Sequence, residues 1–260
     1  MSGAGRRTVW VIGIGAGSPD HVTQQAIAAM NEVDVFLVAD KGDATDELVA
    51  LRHAICHRFI DAGRSYQLVT VPDPERQPQD GSGATAYERS VADWHAARVH
   101  AYAQILDGLP EDAVIGFLVW GDPAFYDSTI RIVDALPARS SLDVRVVPGI
   151  SAFQALAAAH GVVLHAVGRP VHVTTGRRLV AEWRPDLGTV VVMLDGALAC
   201  RALVDVAPDL VIRWGAYVGM PQQELRSGRL ADVVDDLVAL RASLRERHGW
   251  IMDVYTLSAG

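Results

Sequence analysis

Three short and mostly apolar runs, Val9 to Ile14, Ala113 to Trp120 and Val144 to Val147, each stop at a turn that carries glycine. Runs of this length closed by turn residues read as strands buried inside a sheet. Asp34 to Ala39 is a fourth such run. Helical stretches separate them. Gln24 to Asn31 is rich in alanine, and Asp46 to Phe59 spaces its apolar residues for a helix with Asp46 as N-cap. A long helix is predicted from about Ala86 to Leu109, stopped by Pro110. Pro72 to Gly83, with three prolines and two glycines, reads as an exposed loop.

After Gly168-Arg169-Pro170 the pattern restarts. Strands are predicted at Val171 to Thr174, at Thr189 to Leu194 and around Val211 to Trp214. A helix from Leu230 to Glu246 and a closing strand from Trp250 to Leu257 follow. Strands alternating with helices imply a parallel sheet with helices on its faces. The expectation is therefore an α/β chain of two domains, residues 7–168 and 169–260. With 50% hydrophobic and 21% charged residues among 260, the composition suits a chain with a real core.

Charge and apolar patterning exclude several classes. A net charge of −8 opposes binding along a phosphate backbone, so no nucleic-acid partner is expected. The longest apolar run, Ala113 to Trp120, falls short of the roughly 20 residues that cross a bilayer, so no membrane partner is expected either. No apolar segment follows Arg6 and Arg7, which argues against a signal peptide. Cys56 and Cys200 form no CxxC pair and suit free thiols in a reducing cytoplasm. His53 and His57 stand four apart on a predicted helix, but zinc wants four ligands and no second cluster is spaced for it, so no metal is expected.

Gly13, Gly15 and Gly17 follow the first strand at alternate positions. Glycine lets backbone approach a ligand or enter turns closed to other residues. Asp40, at the end of the second strand, even offers the acid of a dinucleotide site. That site needs glycines at offsets 0, 2 and 5, and the last falls on Ser18. A nicotinamide oxidoreductase is thereby disfavoured, and a purely structural turn stays open. Gly121-Asp122-Pro123 follows the most apolar strand, with Tyr126 and Asp127 just beyond, and Pro148-Gly149-Ile150-Ser151 follows another. Each alone is also read as a strand-ending turn, with Asp122 or Ser151 as a cap. Three such loops at the carboxyl ends of parallel strands point to one crevice.

In this order the motifs resemble the tetrapyrrole methylases. The likeness rests on Gly13-x-Gly15-x-Gly17-Ser18-Pro19-Asp20 with Thr23, on Gly121-Asp122-Pro123-x-x-Tyr126, and on Val147-Pro148-Gly149-Ile150-Ser151. It continues through Val190 to Leu194 and Gly219-Met220-Pro221 with Glu224, so it spans nearly the whole chain. Within the family the likeness is strongest to the deacetylating branch. It is carried by Asp40-Lys41-Gly42, Leu51-Arg52-x-x-Ile55-Cys56, Val91-x-x-Trp94-His95-x-x-Arg98, and Gly116 to Pro123 running on to Tyr126-Asp127-Ser128-Thr129.

The resemblance implies two α/β domains with a cofactor cleft between them, and a homodimer. It implies S-adenosylmethionine as cofactor, released as S-adenosylhomocysteine. The matching contacts would be Ala16, Trp120, Gly121, Asp122, Phe125, Ser151, Ala152, Met193 and Gly215. The implied reaction belongs to cobalamin biosynthesis: methylation of precorrin-5 at ring carbon 1 with release of acetate, giving precorrin-6A. Another tetrapyrrole C-methyltransferase, acting on uroporphyrinogen III or a different precorrin, is the runner-up, and a silent sensor is a third reading. Methyl transfer needs alignment more than a base. Acyl removal does need a proton-handling group, and Asp20, His21, Tyr126 and Asp127 are the candidates. A substrate with many carboxylates calls for arginines, with Arg131, Arg177 and Arg178 as the expected partners.

Overall fold

The computed structural model describes residues 6–40, 46–74 and 84–260. The chain forms two compact units, Met1–Gly15 with Pro19–Gly149, and Ala16–Ser18 with Ile150–Gly260.

Among its described residues the first unit holds five strands, β1(Arg7–Gly13), β2(Val35–Asp40), β3(Gln67–Pro72), β4(Ile115–Val119) and β5(Leu142–Val147). They form one sheet in the order β3-β2-β4-β1-β5, parallel throughout. Val9 of β1 sits between Ile115 and Val144. Because strand side chains alternate between faces, the apolar runs feed two cores. Val9, Val11, Ile115 and Phe117 meet Tyr102 and Leu106 of α3(Ala84–Gly108) and Ile132 of α4(Thr129–Asp134). Ile12, Phe36, Leu118 and Val147 meet Met30 of α1(Gln24–Met30) and Ile55 of α2(Asp46–Phe59). Thr23 caps α1, its hydroxyl accepting from the Ala26 amide at 3.1 Å. The α2 bounds match the expected Asp46 to Phe59. The strand β3 was not anticipated. It lies at the sheet edge and ends in Pro72, a residue that edge strands tolerate.

The second unit corrects the expectation of a wholly parallel sheet. Its strands are β6(Val171–Thr175), β7(Thr189–Met193), β8(Leu210–Ala216), β9(Glu224–Arg229) and β10(Asp253–Ala259), in the order β6-β7-β10-β8-β9. Only β6 and β7 pair in parallel; the other three pairings are antiparallel. A short turn joins β8 to β9, which antiparallel pairing permits and parallel pairing does not. The polar stretch Glu224 to Arg229 has no apolar run by which to recognise it as a strand. The helices are α5(Ala152–His160), α6(Gly176–Glu182) and α7(Leu230–His248). The units part at Gly149, earlier than Gly168. The reason is α5, whose Phe153, Ala155 and Leu156 share an apolar cluster with Val191, Val218 and Val254. No helix among the described residues is long and apolar enough to cross a membrane.

Candidate active site

In the first unit β4, β1 and β5 are neighbours, so the loops that follow them emerge side by side at the carboxyl edge of the sheet. They pack on one another without space between. A Cβ on Gly13 would lie 2.7 Å from the Gly149 nitrogen, and one on Gly149 would lie 2.1 Å from the Gly121 oxygen. The Gly121 amide donates to the Gly15 carbonyl at 2.8 Å, and the Gly15 amide to the Gly121 carbonyl at 3.3 Å. Gly15 and Gly121 adopt positive φ, +82° and +64° respectively, which glycine enters without strain. Gly15 also backs onto His21, whose Cβ a side chain would meet at 2.2 Å. The close approach read from the sequence is real, but at Gly13, Gly15 and Gly149 the neighbour is this chain's own backbone or His21.

Asp122 completes the junction. Its Oδ2 accepts from the Gly149 amide at 2.9 Å and its Oδ1 from the Ala124 amide at 2.8 Å. Both oxygens hold loop backbone. Trp120, just before it, is half-buried, and its Nε1 is buried with no partner among the described residues. The Arg52 guanidinium lies over its ring, 5.0 Å from the centroid. Phe125 and Tyr126 are exposed, and Tyr126 has φ of 52°. Asp127 Oδ1 accepts from the Thr129 amide at 2.7 Å.

The four proton-handling candidates fall into two places. Tyr126 and Asp127 line a cavity of about 220 Å³, together with Arg52, Trp94, Arg98 and Trp120. Asp20 and His21 belong to a single helical turn, Pro19–His21, after the glycine loop, and do not line that cavity. Asp20 is exposed and pairs with Arg58 at 2.6 Å. Burial lowers the pKa of His21, with Asp20 pulling the other way, and its Nδ1 is buried without a partner among the described residues. The expected arginines are not at the cavity. Arg131 and Arg177 are exposed, and Arg178 pairs with Glu182. Arg52, which lines the cavity, is not among the residues expected from the sequence. Its signal was a cation on α2 within the quoted stretch Leu51 to Cys56, whose Ile55 and Cys56 are fully buried.

The remaining candidates belong to the second unit and gather around one apolar cluster. Ala16, Ala152 and Met193 pack within it. Gly215 lies in β8, where a Cβ would meet Leu156 at 2.7 Å and Val218 at 2.8 Å, so its bareness is a packing need. Ser151 is 1% exposed and is the N-cap of α5. Its hydroxyl and amide donate to Gln154 Oε1 at 2.7 and 2.9 Å. On α2, His53 and His57 are both exposed, and no group of three metal-binding side chains occurs among the described residues.

Known proteins share this fold. A cobalamin-synthesis-related protein of Corynebacterium diphtheriae, CobF, has a solved structure that superposes with a TM-score of 0.79 at 36% identity, over 98% of this chain and 99% of that one. A precorrin-6A synthase [deacetylating] of a Sinorhizobium species is 43% identical across 100% of this chain and 98% of its own length. A uroporphyrin-III C-methyltransferase of Thermus thermophilus, solved with S-adenosylhomocysteine, shares the fold at 18% identity and a TM-score of 0.56, over 96% of this chain and 92% of that one. The family pattern of the Tetrapyrrole (Corrin/Porphyrin) Methylases matches residues 8–234. By that match and by these likenesses over the whole length, the chain belongs to the tetrapyrrole methylases.

Proposed function

We propose that this methylase performs the deacetylating step of corrin synthesis, methylating precorrin-5 at ring carbon 1 and releasing acetate to give precorrin-6A. The observation that carries the reading is the 43% identity, end to end, with a precorrin-6A synthase [deacetylating]. The methyl donor is S-adenosylmethionine, which supplies a methyl group already activated on a sulfonium. The indole N–H of Trp120, buried beside the Gly121-Asp122-Pro123 loop with no partner among the described residues, is a donor suited to an acceptor on a bound ligand. Trp120, Gly121, Asp122 and Phe125 are the residues of the first unit assigned to the cofactor. Ala16, Ser151, Ala152, Met193 and Gly215 are those of the second.

The chain's own residues have two tasks. Alignment of donor and acceptor lowers the barrier to methyl transfer without a base. Acyl removal needs a group that orients water or holds a proton, and Asp127 and Tyr126 stand together for it at the cavity. Two buried free thiols, Cys56 and Cys200, support a reducing, cytoplasmic setting. A homodimer is the assembly we assign, following the family resemblance.

Mass spectrometry of the product from precorrin-5 tests the reaction. Methyl gain alone raises the mass, whereas methyl gain with loss of the two-carbon acyl group lowers it. A product heavier than its substrate would leave a methylase but remove the deacetylating assignment.

A further inference from the structure

The cavity of about 220 Å³ in the first unit holds two arginines in different electrical states. Arg98 lies over the Trp94 ring, 4.4 Å from its centroid, and its Nε is 2.7 Å from Asp73 Oδ1, with both side chains nearly buried. Its charge is balanced. Arg52 is not balanced in that way. Its Nε donates to the Leu118 carbonyl and its Nη1 to the Leu48 carbonyl, each at 3.3 Å, and no described residue accepts from its Nη2. No described carboxylate lies within ion-pair distance of it. Asp127, the one described carboxylate lining the cavity, is beyond that distance, and its Oδ1 is engaged by the Thr129 amide. Burial pushes the Arg52 guanidinium down to about 10, against the pull of Asp127, so it stays cationic at neutral pH.

A largely buried cation with no described carboxylate at ion-pair distance is costly, and a planar guanidinium meets a carboxylate with two parallel N–H donors. The Trp120 ring beneath Arg52 fixes the plane of that fork. We propose that this cavity is a carboxylate-binding pocket, in which Arg52 takes a short acidic group through the Nη2 edge that no described residue occupies. The volume suits a carboxylate on one or two carbons rather than a whole macrocycle. Two sources offer that chemistry: an acidic arm of the substrate and the acetate that the reaction releases. The second half of this assignment rests on the proposed function; the pocket itself does not.

Titration of the purified protein with sodium propionate, followed by tryptophan fluorescence, tests the pocket directly, because Trp94 and Trp120 line it. A saturable change in the millimolar range is expected, as befits so small a ligand, with none from propionamide, its neutral counterpart, or from matched sodium chloride. No saturable change, or the same change with propionamide, overturns the proposal. Arg52→Gln should abolish the response and Arg52→Lys should weaken it on the order of tenfold, since a point charge replaces a fork. An unaltered response in folded Arg52→Gln also overturns it; should that variant fail to fold, the wild-type titration still decides. In turnover with precorrin-5, propionate that raises KM at constant kcat identifies the substrate's arm as the occupant. Acetate that lowers kcat at constant KM identifies the released product instead, and either result supports the pocket. If the wild-type protein transfers no methyl group to precorrin-5, the proposed function fails, while the propionate titration still judges the pocket.

Discussion

The Gly149 amide donates to Asp122 Oδ2 at 2.9 Å, and this bond ties the loop after β5 to the loop after β4. It is a neighbour of the contact between Gly149 and Gly121, where no atom larger than hydrogen fits. The motifs that look like ligand contacts in the sequence are thus first of all contacts with one another. A substitution there tests packing before it tests binding.

Gly149→Ala should therefore destabilise the protein, because its Cβ would lie 2.1 Å from the Gly121 oxygen, a backbone atom that cannot swing aside. Overpacking of this kind costs about 1–3 kcal/mol. Urea unfolding measures it, with Gly63→Ala as control, since nothing lies within 4 Å of a Cβ there. Equal stability of the two variants would contradict the close packing of the loops. Gly121→Val belongs with the first, because a β-branched residue at φ of +64° is strained, so loss of cofactor binding there would come with loss of stability.

The two chemical steps should separate at the cavity. Tyr126→Phe or Asp127→Asn is expected to slow acetate release by about 10²- to 10⁴-fold, the usual scale of proton-transfer catalysis. Methylated but still acylated material should then accumulate in quenched time courses, with methylation the earlier step. Asp20→Asn, which touches an exposed residue paired with Arg58, should leave both rates near wild type. Accumulation in Asp20→Asn alone would move the reactive group to the turn after the glycine loop.

Asp253 is the buried counter-ion of the second unit. It accepts from Arg241 Nε and from Trp214 Nε1, each at 2.9 Å, and its side chain is 5% exposed. Asp253→Ala leaves Arg241 without its carboxylate, though still bonded to the Gly196 and Asp195 carbonyls, and the Trp214 indole N–H without its acceptor, which costs about 3–5 kcal/mol. Asp253→Asn keeps one acceptor oxygen and should cost less. Denaturant midpoints at neutral pH read the difference, and an Asp253→Ala protein as stable as wild type would show that water replaces the carboxylate.

Glu182 sets an acid limit on stability. The Thr174 hydroxyl, the Arg178 guanidinium and the His172 ring donate to its carboxylate and hold it down at about 2, outweighing burial. A carboxyl whose folded pKa lies below its unfolded value stabilises the fold above the unfolded value, near 4.5. That contribution fades as pH falls through about 2. Unfolding free energies measured across this window should fall less steeply in Glu182→Gln than in wild type. Identical slopes would mean that the carboxyl is equally well solvated in the unfolded chain.

Much of the first unit was legible because its signals are local. An apolar run followed by glycine, as at Val9 to Gly15 or Ala113 to Gly121, states strand and loop within a dozen residues. Repeating that signal three times placed the loops at one edge before any contact was known. The second unit was harder to read. Glu224 to Arg229 becomes a strand only because β8 stands beside it to take its backbone hydrogen bonds.

The cavity shows the same division more sharply. Trp120, Tyr126 and Asp127, which line it, stand out in the sequence because they flank a recognisable motif. Arg52 and Leu118 are 66 positions apart, and nothing near either one announces that they bond. Arg98 meets Asp73 across a different stretch of chain. Arg131, Arg177 and Arg178, expected as partners of substrate carboxylates, are exposed, and Arg178 pairs with an acid four residues on. Loop chemistry is written in short words because backbone conformation depends on adjacent residues. The charge state of a buried arginine depends on which distant carboxylates the folded chain brings near it, and that is a property of packing alone.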